Sequence, residues 1–237
     1  MPNFGIRTDT SGDFAAITSG TEDVVRFGGV AGDNSGQLAG FRNILINGRL
    51  NINQRNVTIA AAAIGAYGPD RWKKVDASNM TQIVEDGNYK YSSVYTLSGN
   101  GVTTQQITSP ASGHWTTPSI PITATYVQLE LGSIATPFEH RPIGIELALC
   151  QRYFLAVSGL AVGGYALAGN TLLSTYTFPV TMRVAPTMAW VSFGTQLNAT
   201  SPVFFGTTEV ATGPAINSIA AGQAYIYGAT ATASAEL

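Results

Sequence analysis

Apolar and polar residues alternate with a period of two in several short stretches of this chain, and Gly, Asn, Asp or Pro separates them. Such text specifies short strands, each with one buried face. Residues 44–46 read as a strand entering a turn at Asn47-Gly48, and Leu50 and Ile52 alternate with polar neighbours. Residues 80–84, 89–97, 102–107 and 120–126 continue the strand grammar, with Asp86-Gly87 and Asn100-Gly101 as hairpin turns. Asp70-Arg71-Trp72 reads as a turn that presents a large aromatic. Ile120, Ile122, Ala124 and Tyr126 share one face, whereas Val127, Leu129 and Leu131 fall on the other. A one-residue slip of this kind predicts a bulge near Tyr126 and Val127.

Further along, 176–184 is the clearest strand, although Pro179 removes one amide donor and confines it to an edge or a bulge. Residues 188–193, 203–205 and 224–227 add shorter ones. The exception is 144–155, which reads as a helix with Glu146 in its first turn and Arg152 in its last. Its apolar residues occupy nearly the whole circumference, as in a helix buried on most sides. Three copies meeting around an axis would supply that burial, through Leu147, Leu149, Cys150 and Phe154. No period of 20–50 residues repeats, which excludes a solenoid or propeller.

Composition narrows the function. The chain has 237 residues, of which only 11% are charged, against roughly 25% in an average soluble protein. Its net charge of -2 creates no field that would gather nucleic acid or an anionic membrane. The single cysteine closes no internal disulfide, and two histidines leave little for a metal or a catalytic dyad. The start lacks a secretory pattern, and no run spans a bilayer, so synthesis in a cytoplasm is expected. Low charge then points to a surface covered by other subunits, or one rich in uncharged polar groups.

Three blocks resemble a known family. They are Asn43-Ile44-Leu45-Ile46-Asn47-Gly48-Arg49-Leu50-Asn51-Ile52-Asn53-Gln54-Arg55, then Asp70-Arg71-Trp72, then the run 127–142 (VQLELGSIATPFEHRP) continuing into 146–153 (ELALCQRY). In that order these phrases are similar to bacteriophage and prophage tail-fibre proteins. The resemblance covers about 43–154, and it implies a structural virion protein, a homotrimer with a lectin-like β domain and no shared catalytic motif. It also implies that the N-terminal end attaches to the particle while the C-terminal end faces the host.

The remaining chemistry is sparse. His114, Glu139 and His140 would have to converge to hold a metal, and ion pairing is the simpler use of Glu139-His140-Arg141. A glycan-cleaving site would need two carboxylates from among Asp70, Asp76, Glu85, Asp86 and Glu130. Cys150 reads as a small buried hydrophobe. No catalytic residue, metal ligand or cofactor is therefore assigned. Sugar recognition asks only for aromatic faces beside uncharged polar groups, and Tyr165, Trp190, Tyr225, Tyr227 and Asn198 are the candidates.

The sequence thus predicts an all-β chain in a homotrimeric fibre. Residues 1–42 form an extended virion-attachment segment through Phe4, Ile6, Phe14, Ile17 and Phe27. Residues 43–142 form a small β-sandwich domain, 143–155 the junction helix at the trimer axis, and 156–237 a distal β-sandwich knob. The expected partners are other tail or baseplate proteins and a host cell-surface glycan, with no nucleic acid and no membrane insertion. A head fibre or a capsid-decoration or spacer protein without receptor binding is the alternative, and a glycan depolymerase a further one.

Overall fold

The computed structural model describes residues 41–237, together with the backbone of three strands that precede them. The side chains of Phe4, Ile6, Ile17 and Phe27, and all of Phe14, lie outside the described residues. In chain order the strands are β1 (Phe4–Thr8), β2 (Ala15–Ser19), β3 (Glu22–Phe27), β4 (Lys73–Lys74), β5 (Asn79–Thr81), β6 (Ile83–Val84), β7 (Val94–Asn100), β8 (Gln105–Thr108), β9 (Trp115–Thr116), β10 (Ile120–Pro121) and β11 (Thr125–Leu131). After the helix α1 (Ile143–Gln151) come β12 (Phe154–Ala166), β13 (Thr171–Leu173), β14 (Tyr176–Thr177), β15 (Thr187–Ser192), β16 (Thr195–Leu197), β17 (Val203–Phe205), β18 (Ala211–Asn217) and β19 (Gly222–Ser234). Among the described residues the protein is all-β apart from this short helix.

The chain forms two compact units, and both are discontinuous in sequence. The first comprises residues 1–48 and 83–140, the second 49–82 and 141–237. The expected segment 43–142 is therefore divided, because 49–82 folds with the C-terminal part of the chain.

In the first unit β1, β2 and β3 form an antiparallel sheet, and β7 pairs with both β8 and β11. Asn100-Gly101 turns the β7–β8 hairpin, with Gly101 at φ 75°. Asp86-Gly87 also turns, but it follows β6, whose partner is β9. The β11–β7 register shifts between Thr125 and Gln128, so Tyr126 and Val127 together oppose Gly99. Tyr126 sits at φ 54°, a left-handed conformation that costs a bulky residue about 1–3 kcal/mol. The bulge thus lies where the change of alternation predicts it.

Residues 44–46 do not form the expected strand, because the Asn43 side chain takes over its hydrogen bonding. The Asn43 amide oxygen accepts from the Leu45 and Leu129 N–H groups at 3.0 Å each, and its amide nitrogen donates to the Val127 carbonyl at 3.0 Å. Backbone bonds from Ile44 to Leu129 and from Val127 to Gly48 complete the seam.

In the second unit β4 pairs with β5, and two larger antiparallel sheets share one core. β19 is central to one, flanked by β12 on one side and by β15 and β16 on the other. β18 is central to the other, with β13, β14 and β17. Leu155, Val157, Leu160 and Val162 of β12 meet Ile216 of β18, Ile226 of β19 and the small inward residues Ala229, Ala231 and Ala233 of β19. Alanines at alternate positions let the sheets approach closely. The predicted strand 176–184 survives only as β14, since Pro179 cannot donate to a ladder. Beyond it Phe178 and Met182 still turn into the core, and their N–H groups bond the Val210 and Glu209 carbonyls.

Helix α1 ends at Gln151, four residues before the predicted boundary. Arg152 caps its C-terminus, and Tyr153 and Phe154 lead directly into β12. Cys150 is wholly buried and Phe154 nearly so, both within their own unit, which removes them from the expected axial surface. Leu147 and Leu149 are half-buried, whereas Ile143 and Ile145 are exposed.

Candidate functional site

A cleft of about 450 Å³ opens in the second unit on the β12–β19–β16 sheet. Ala161, Val162 and Gly163 of β12 form one wall, Tyr225, Ile226 and Tyr227 of β19 the next, and Thr195 of β16 the third. Gly163 faces Tyr225 across the ladder, and a Cβ there would stand 2.7 Å from the Tyr225 Cβ. Only glycine leaves the Tyr225 ring its place. At the opposite wall Gly194, at φ 61°, has no room for a Cβ beside the Tyr227 carbonyl. Tyr227 is 70% exposed and Tyr225 half-buried. The site is apolar, with a single threonine hydroxyl and two phenols available to hydroxylated ligands.

The predicted ligand residues separate. Tyr225 and Tyr227 come together in this cleft. Tyr165, 81% exposed, pairs with Gln223 further along the same ladder and does not line it. Trp190 stacks on Phe204 with ring centroids 4.2 Å apart, packs against the core, and has its indole N–H buried without a partner. Asn198 is a latch instead of a reader. Its amide nitrogen donates to the Ala220 and Gln223 carbonyls, and its amide oxygen accepts from the Ala220 N–H.

The side chains of residues 42–55, 70–72 and 127–146 are used for construction. In the second unit Arg55 and Arg71 both pair with Glu236, and Arg55 also reaches Asp70 at 3.4 Å. Gln54 donates its amide to Asp70 and to the Phe154 carbonyl, while the Arg55 guanidinium stands 3.6 Å from the Phe154 ring centre. Trp72, expected to be presented by its turn, is wholly buried beside this network. Burial pushes the Asp70 carboxyl above its usual range, opposed by the Gln54 bonds and the Arg55 charge. The same network raises the Tyr67 hydroxyl, first through burial and then through Glu236. Burial also pushes the Cys150 thiol strongly upward, with the Asp70 and Glu146 charges adding to it.

In the first unit Glu130 accepts from the Thr136 N–H and hydroxyl, and Glu139 accepts from the Arg42 and Asn43 N–H groups. His140 rests edge-on against Phe138 and Tyr126, and His114 accepts from the Asp86 N–H through Nδ1. In the second unit Arg141 pairs with Glu146 at 3.1 Å. Among the described residues no three His, Cys, Asp or Glu side chains gather as a metal site, and no helix is long and apolar enough to cross a membrane. No family model matches the chain, and neither a curated protein nor a solved structure matches it.

Proposed function

We propose that this chain is a subunit of a homotrimeric bacteriophage tail fibre, a structural virion protein that contacts a host-surface glycan through its C-terminal unit. The surface of residues 156–237 carries this reading. Tyr165, Leu167, Val191, Phe205, Ile219 and Tyr227 are each more than half exposed. Of the three charged residues in that stretch, Arg183 and Glu236 are half-buried and engaged in bonds of the fold, which leaves Glu209 exposed. Monomers seldom expose so much apolar surface with so little charge, whereas a subunit covered by its copies does. The Tyr225–Tyr227 cleft supplies the aromatic surface a sugar ring needs. The sequence phrases that resemble tail fibres support the same reading, and Gln54, Arg55, Asp70, Arg71, Gln128, Glu130 and Glu139 within them are engaged in bonds of the fold.

Light scattering at two concentrations tests it. A mass near three times 24.8 kDa is expected, with host glycan binding that Tyr227→Ala abolishes. A monomer at both concentrations overturns the trimer, and a trimer indifferent to Tyr227→Ala overturns the cleft as the receptor site.

A further inference from the structure

The first unit carries a second concavity, of about 230 Å³, built on the β11 bulge. Ser98, Gly99 and Asn100 of β7 line one side, Tyr126 and Gln128 of β11 another, and Thr136 and Phe138 close it. We propose that this cleft is a binding site for one uncharged, polyhydroxylated ring, a single residue of a neutral saccharide, through Tyr126, Phe138, Ser98 and Asn100.

Three observations converge on that ligand class. The bulge sets Tyr126 in a left-handed conformation opposite a glycine, and its ring meets Phe138 edge-to-face with centroids 5.3 Å apart. Two aromatic side chains in contact at the cleft, one edge-on to the other, suit the C–H face of a pyranose. Next, the side chains of Ser98 and Asn100 make no hydrogen bond among the described residues, so one hydroxyl and one amide remain for ligand hydroxyls. Finally, the other polar groups at the wall are fixed. The Gln128 amide donates to Glu130 Oε1 at 2.9 Å, and its oxygen accepts from the Glu139 N–H at 2.8 Å. The Thr136 hydroxyl donates to Glu130 Oε2 at 2.6 Å. That wall is preorganised, and a ligand need not order it. None of the lining side chains is charged, which disfavours an anionic or cationic ligand.

The site is independent of the Tyr225–Tyr227 cleft, and its test separates the two. Saturation-transfer NMR on the whole protein would use the methyl glycosides of glucose, galactose, mannose and N-acetylglucosamine, with N-acetylneuraminic acid as the charged comparison. At least one neutral glycoside is expected to saturate the Tyr227→Ala protein. Asn100→Ala, at an exposed position, should weaken it about tenfold, the loss of one ligand hydrogen bond. Ser98→Ala serves as the second variant. Absence of saturable binding by every neutral glycoside overturns the proposal. So does preference for the charged sugar, or binding that ignores both substitutions.

Discussion

Arg71 lies with its guanidinium carbon 3.7 Å from the centre of the Tyr153 ring while the same guanidinium pairs with Glu236. One side chain thus ties the Asp70-Arg71-Trp72 turn to the end of the helix and to the last strand's exit. Arg71 is 1% exposed and the Glu236 side chain 7%, so neither charge is repaid by water.

Removing Glu236 should take one carboxylate from two guanidinium groups at once, the buried Arg71 and the largely buried Arg55. Glu236→Ala is expected to destabilise the protein by about 3–5 kcal/mol in chemical denaturation. A change below about 1 kcal/mol would show the network to be a surface pair of little weight.

Asp70 sets a pH dependence of unusual sign. Its folded pKa is raised by burial, so the folded chain holds that proton more tightly than the unfolded chain does. The contribution is therefore full below the ordinary value of 3.8 and is lost as pH rises from there through the folded value. Asp70→Asn removes this titration. The stability of the native protein relative to the variant should fall as pH rises through that window, measured by urea unfolding at a series of pH values. A difference that grows in favour of the native protein would refute the assignment.

Cys150 is the only thiol in the chain, it is fully buried, and its pKa is raised. Labelling should require opening of the second unit, at a rate about a thousandfold or more below that of a free thiol. Glu236→Ala should accelerate it. Rapid labelling of the native protein would contradict the burial.

Gly48 has no room for a side chain, since a Cβ there would collide with the Val127 carbonyl and stand 3.1 Å from the Phe138 ring. Gly48→Ala should cost about 1–3 kcal/mol, seen as a lowered denaturation midpoint. An unchanged midpoint would mean that the Asn43–Val127 seam yields freely.

The sequence by itself determined the all-β class, the Asn100-Gly101 hairpin and the Tyr126 bulge. Each follows from local alternation and turn chemistry, which act over a few residues. Tertiary structure alone decided that 49–82 folds with 141–237, because the Arg55–Glu236 pair joins positions that no local pattern connects. It also decided that Asn43 would replace a strand with its own amide, and that Asn198 and Trp190 would serve structure in place of ligand. The place of Ser98 and Asn100 beside a cleft had no signal in the sequence, since an unpaired hydroxyl and amide look like any other until the backbone opens a cleft beside them.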